Sequence, residues 1–128
     1  MRVLLDTNAY SDWRRHGKWN RSISTASDVL IPSIVLGELR YGFQGSSLQV
    51  ENETKLDAFL RHTRVRIVSV GDETSRVYAH LKHFLRQEGS PIPENDIWIA
   101  ALAVENSVPI LTSDAHFSCL PQVSRLPE

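Results

Sequence analysis

The chain holds a single cysteine, Cys119, so it can form no internal disulfide and has no Cys-x-x-Cys zinc site. A reducing, cytoplasmic setting is the matching expectation. No apolar run approaches the roughly 20 residues that span a bilayer, so no membrane association is expected. The apolar run before Asp6, Val3-Leu4-Leu5, is only three residues long, which is not the pattern of a signal peptide. Neither charge sign dominates. Fourteen Lys and Arg oppose fifteen Asp and Glu, a net charge of −1, so there is no bulk pull toward nucleic acid. Internal repeats, low-complexity tracts, linkers and tight hairpin turns are also missing. What remains is a chain of 128 residues, 41% apolar and 23% charged. That suits one domain, 1–128, with a core large enough to need no staple.

Apolar stretches alternate in kind along the chain. Arg2 to Leu5 reads as a short buried strand, and Asp6-Thr7-Asn8 can cap a helix over residues 8 to 16 that Gly17 ends. Val29-Leu30-Ile31 is a second strand, stopped by Pro32. Ser33 is placed to cap a buried helix ending near Gly42 to Gly45, before a loop at 45 to 47. Leu56, Phe59 and Leu60 mark an amphipathic helix, and Val65 to Val70 a third strand. Asp72 reads as the cap of a helix striped by Val77, Tyr78, Leu81, Phe84 and Leu85 and ended by Gly89 and Pro91. After the stiff Pro91-Ile92-Pro93 connector, Asn95 is placed to cap a helix ending near Asn106. Val108 to Leu111 is a fourth strand, and Val123 to Leu126 a short last one. Strand–helix alternation without hairpins predicts an α/β fold: a mainly parallel sheet of four to five strands flanked by helices.

Four acids close, open or interrupt these apolar stretches. Asp6 closes Val3-Leu4-Leu5. Glu38 lies inside Ile34-Val35-Leu36-Gly37-Glu38-Leu39. Asp96 opens Ile97-Trp98-Ile99-Ala100-Ala101-Leu102, and Asp114 follows Val108-Pro109-Ile110-Leu111-Thr112-Ser113. Singly, each has an ordinary explanation: a turn or helix cap for Asp6 and Asp114, a helix-dipole partner for Asp96, a solvent-facing position for Glu38. Jointly they fall at one edge of one sheet, beyond the carboxyl ends of the strands, where open α/β sheets place their sites. Clustered carboxylates repel one another unless a cation neutralises them. Hard oxygen donors, with no Cys and no clustered His pair, favour Mg²⁺ or Mn²⁺ over zinc. Such an ion activates water and neutralises charge on a phosphoryl oxygen, which fits phosphodiester hydrolysis.

Four motifs in order, Leu4-Leu5-Asp6-Thr7-Asn8, Leu36-Gly37-Glu38-Leu39-Arg40-Tyr41-Gly42, Pro93-Glu94-Asn95-Asp96-Ile97-Trp98-Ile99-Ala100-Ala101 and Leu111-Thr112-Ser113-Asp114-Ala115-His116-Phe117, span nearly the whole chain. In them the chain resembles the PIN-domain ribonucleases, especially the VapC toxins of bacterial type II toxin–antitoxin modules. The resemblance implies a PIN-like fold and a metal-dependent endoribonuclease leaving a 5′-phosphate and a 3′-hydroxyl. It implies Asp6 and Asp96 as primary metal ligands, Glu38 as the acid that binds metal or orients water, and Asp114 as the fourth acid. Asn8 and Thr112 match the polar positions beside them. A homodimer is implied too, with a VapB-type antitoxin that covers the groove and alone binds operator DNA. Three positions depart from the family pattern: Ala9 and Tyr10, expected to reshape the groove entrance, and Ser113.

Arg14, Arg15, His16, Lys18 and Arg21 fall within eight residues, interleaved with Trp13 and Trp19; Arg61, His62, Arg64 and Arg66 form a second basic group. Arg14, Arg15, Lys18 and Arg21 are candidates to hold RNA phosphates. The plainer alternative is a solvated basic helix face with the tryptophans packed inward. Aspartate-phosphorylating folds need Asp-x-Asp, and Asn8 stands at the third position. A PIN-like module that binds RNA or protein without cutting is the remaining alternative to an enzyme.

Overall fold

Every strand lies parallel to its neighbours, as alternating strands and helices without tight turns require. The computed structural model describes residues 1–126. The order is β1 (Arg2–Leu5), α1 (Thr7–His16), α2 (Asn20–Thr25), β2 (Asp28–Pro32), α3 (Ser33–Phe43), α4 (Gln49–Leu60), β3 (Val65–Val68), α5 (Asp72–Glu88), α6 (Glu94–Glu105), β4 (Ile110–Leu111), a 3₁₀ turn (Ala115–Cys119) and β5 (Arg125–Leu126). In the sheet the strands run β3-β2-β1-β4-β5. The chain builds outward from β1 through β2 to β3, then returns to the other side of β1 for β4 and β5. The topological switch point therefore lies between β1 and β4, where open α/β sheets form their crevice. Leu4 pairs with Ile110 and Leu5 with Leu111, so the next positions in register are Asp6 and Thr112.

The inner strands are buried on both faces, which explains their uninterrupted apolar runs. Val3, Leu4, Leu5, Val29, Leu30, Ile31, Ile110 and Leu111 are all closed to solvent. So are Ile97, Ile99, Ala100, Ala101, Leu102 and Ala103 of α6, whose alanines admit close packing against its neighbours.

Element boundaries shift where caps were expected. Ser33 and Asp72 are the first residues of their helices and Asn95 the second; the N-caps are Pro32, Gly71 and Pro93. Both prolines hold extended backbone, φ −64° and −56°, and close the segments before α3 and α6. The third strand stops at Val68 and the fourth begins only at Ile110. The short helix α2 went unanticipated because Asn20-Arg21-Ser22-Ile23-Ser24-Thr25 has one apolar residue and no helical period. Gly17 ends α1 in the left-handed region, φ 71°, its N–H donating to the Trp13 carbonyl.

Candidate active site

Asp6 is the N-cap of α1, and only 4% of it is exposed. Its Oδ1 accepts the Ala9 amide at 2.7 Å and its Oδ2 accepts the Thr112 hydroxyl across the switch point. Thr112 Oγ1 in turn accepts the Asp114 amide at 2.9 Å. One threonine thus ties the acid after β1 to the acid after β4. Asp114 caps the 3₁₀ turn, its Oδ1 accepting the His116 amide at 2.9 Å. Both acids are thus true caps, and the cap hydrogen bonds fix their carboxylates in place.

Glu38 reaches the same place from α3. The Thr7 hydroxyl donates to its Oε1 at 2.6 Å, and Asn95 Nδ2 lies 3.4 Å from its Oε2. Asp96, in the first turn of α6, lies 2.8 Å from His116 Nδ1, which is 3.1 Å from Asp114 Oδ1. All four expected acids, with Asn8, line one cleft of about 490 Å³, together with Thr7, Glu94 and Asn95. Beside it Glu94 accepts hydrogen bonds from Lys82 and Tyr78, which hold its carboxyl below the ordinary glutamate range.

The cluster carries unbalanced negative charge. Burial pushes the Asp6 pKa up to about 6; the Thr112 and Ala9 hydrogen bonds oppose this, while the charges of Asp114 and Asp96 add to it. Burial also raises Asp96, against the hydrogen bond from His116 and with Asp114 and Glu38 adding to the rise. The donor atoms of Asp96, Asp114 and His116 lie within 4.8 Å of one another. Converging hard oxygen donors with raised pKa values fit a divalent cation.

Two participants were not singled out from sequence. Thr7, read only as part of a cap, orients Glu38. His116 gives no signal in sequence because one histidine forms no metal-binding pair, although it stands two residues beyond Asp114 in the fourth motif. Ala9 and Tyr10 are 1% and 3% exposed and neither lines the acid cleft; Tyr10 borders the neighbouring groove instead.

The basic residues spread out. Arg14 lies over the Trp13 ring, 4.2 Å from its centroid, and its Nε donates to Tyr10 Oη at 3.2 Å. Arg14 and Arg15 line a groove with Tyr10, Phe43, Leu48 and Lys55. Arg21 borders a different depression beside Met1 and Leu126. Lys18 alone of the four reaches the β4 loop, donating to Ser113 Oγ at 2.6 Å. Trp19 is buried and Trp13 packs with Tyr10 and Phe59, so the inward-packed alternative holds for the tryptophans. In the second basic group, Arg64 donates to the Ile23 and Ala26 carbonyls and Arg66 pairs with Asp28.

Residues 3–122 match the PIN domain family. The chain is 35% identical to Ribonuclease VapC2 of Rickettsia felis, over 74% of this chain and 70% of that protein. It is 32% identical to Ribonuclease VapC4 of Mycobacterium tuberculosis, over 70% and 69%. Its fold superposes on the structure of VapBC2 from Rickettsia felis bound to a promoter DNA fragment with a TM-score of 0.84 and 27% identity, covering 99% of this chain and 98% of that one. No helix among the described residues is long and apolar enough to cross a membrane.

Proposed function

Because the chain belongs to the PIN-domain family, in its VapC branch, we propose that it is the toxin of a type II toxin–antitoxin module. Its activity is Mg²⁺- or Mn²⁺-dependent endoribonuclease cleavage. The observation that carries the reading is the convergence of Asp6, Glu38, Asp96 and Asp114 in one cleft at the switch point of a parallel sheet. Asp6, Asp96 and Asp114 hold the cation. When bound, the cation neutralises charge on the scissile phosphate and lowers the pKa of water. Glu38, its carboxylate oriented by Thr7 and Asn95, accepts a hydrogen bond from the attacking water and aims it at phosphorus. Asn8 supports substrate from the cleft wall. Lys18, at the Ser113 loop, holds an RNA phosphate beside the cleft, and Arg14, Arg15 and Arg21 hold phosphates farther along.

The partner in this reading is a VapB-type antitoxin, and operator DNA is bound only through it. The groove formed by Tyr10, Phe43 and Leu48, rimmed by Arg14, Arg15 and Lys55, offers apolar contact with a basic border to such a partner. The working form is a homodimer.

The test is cleavage of total bacterial RNA by antitoxin-free protein with Mg²⁺, Mn²⁺ or EDTA, beside Asp6→Asn and Asp96→Asn. Discrete fragments with metal, reduced by roughly 100-fold or more in both variants, are expected from loss of a charged ligand. Cleavage that persists in both variants overturns the assignment of the acids. RNA bound but left uncut by folded, metal-loaded protein favours the non-catalytic binding module.

A further inference from the structure

His116 joins Asp96 and Asp114 in a set of donor atoms within 4.8 Å of one another, although no argument from the acids requires it. Its Nδ1 lies 2.8 Å from Asp96 Oδ2 and 3.1 Å from Asp114 Oδ1. Neighbouring donors around an octahedral ion with bonds of about 2.1 Å are separated by about 3 Å, so this is the spacing of adjacent ligands on one small cation. The imidazole is also anchored. The His116 backbone N–H is held by Asp114 Oδ1 at 2.9 Å, at the start of the 3₁₀ turn, which fixes the ring's origin beside the acid it would share. The side chain keeps 47% exposure, so the imidazole can turn toward an ion without rearrangement of the core.

We propose that His116 is a ligand of the cation that the cluster holds, sharing it with Asp96 and Asp114. The proposal rests on the reading of the cluster as a divalent-cation site. An imidazole nitrogen is a softer donor than carboxylate oxygen, so a mixed nitrogen–oxygen set binds Mn²⁺ in preference to Mg²⁺, whereas an all-carboxylate set discriminates less. This chain's preferred ion is Mn²⁺, and His116 is the residue that makes it so.

The experiment is Mn²⁺ binding to the whole protein followed by electron paramagnetic resonance. Loss of the free-ion signal gives affinity, and pulsed detection reports ¹⁴N coupling to the ion. Wild type is compared with His116→Ala and His116→Gln, with Mg²⁺ as competitor. The expected result is ¹⁴N coupling in wild type, absent from both variants, and a Mn²⁺ over Mg²⁺ preference that falls by roughly tenfold in them, on the scale typical for loss of one group supporting a metal. Both variants alter a half-exposed side chain and keep the carboxylates, so they still bind Mn²⁺. Mn²⁺ bound without ¹⁴N coupling, or with coupling that survives in His116→Ala, overturns the role of His116 while leaving the cation site standing. No Mn²⁺ binding by wild type overturns both.

Discussion

In the acid cleft, seven residues from four separate stretches of chain interlock: Asp6 with Thr112, Thr112 with Asp114, Asp114 and Asp96 with His116, and Glu38 with Thr7. In the basic segment, four side chains from one stretch of eight residues part company. Arg14 and Arg15 share one groove, Arg14 lying over Trp13, while Lys18 sits against Ser113 and Arg21 beside Met1. The difference follows from the elements that carry them. Parallel strands all deliver their carboxyl ends to one edge, so acids far apart in sequence meet there. A helix followed by a reversal scatters neighbours instead. Between Arg14 and Arg21 the chain ends α1, passes Gly17 and Trp19 with φ of 71° and 69°, and enters α2. The cleft is therefore a cooperative unit, in which removing one group shifts the others, and the basic residues are independent contacts whose effects add.

The sharpest way to break that comparison is through Asp6. Its carboxyl holds its proton more tightly folded than unfolded, with a pKa of about 6 against 3.8. Its contribution to stability is then fully present below pH 3.8 and is lost as pH rises through about 6. The size of that loss is about 3 kcal/mol, from 1.36 kcal/mol per pKa unit. Asp96 and His116 are shifted upward as well, so their losses run in the same direction. Urea unfolding in EDTA should therefore show wild type less stable at pH 7.5 than at pH 4.5. Asp6→Asn should remove most of that slope and be the more stable protein at pH 7.5. Added Mn²⁺ or Mg²⁺ should reverse the order, because the ion binds the folded wild type and stabilises it by mass action. Equal pH slopes for wild type and Asp6→Asn would show that Asp6 carries no trapped charge.

Thr112→Val sharpens the comparison at a second point, with a smaller effect. It removes the hydroxyl that donates to Asp6 and accepts from the Asp114 amide. A buried carboxylate loses a donor and a backbone N–H loses its acceptor, which costs about 2 kcal/mol of metal-free stability. The Asp6 pKa moves further up. Cleavage falls by roughly tenfold, because two acids lose their common tether. Thr112→Ser keeps the hydroxyl and should restore both. If Thr112→Val unfolds and cleaves as wild type does, the acids are held independently and the cleft is no unit.

Asp6, Asp96 and Asp114 could be read from sequence because each stands at the end of an apolar run, Glu38 because it interrupts one, and the strand–helix alternation says which edge they share. Thr112 could be read for the same reason, lying beside Asp114 after β4. His116 and Thr7 could not. A hydroxyl at the first turn of a helix looks like a cap, and a lone histidine near a turn looks like surface. Their meaning depends on contacts with Glu38 and Asp96, residues 31 and 20 positions away. The cap residues were misplaced by one or two positions because Pro32 and Pro93, whose rings fix φ, take the N-cap positions where a side-chain acceptor was expected. The dispersal of the basic segment was hidden by a buried tryptophan in left-handed backbone, which no residue preference announces.

The basic residues give the smallest effects and the most direct contrast. Lys18→Ala removes a cation beside the β4 loop, and Arg14→Ala with Arg15→Ala removes two from the neighbouring groove. Each charge that meets a phosphate of single-stranded RNA contributes about 0.7 to the slope of log affinity against log salt. If these residues act singly, Lys18→Ala should weaken RNA binding a few-fold and lower the slope by about 0.7. The Arg14 and Arg15 pair should lower it by up to about 1.4, and all three together by the sum. Arg14 already lies over Trp13 and donates to Tyr10, so its share should be the smaller of the pair. Additive slopes measured by titration at several salt concentrations keep the contrast with the cleft. A triple variant that loses far more than the sum would mean that the basic residues form a cooperative surface with RNA bound. Unchanged affinity and slope in all three would remove the segment from the RNA path and leave its charges to the antitoxin groove.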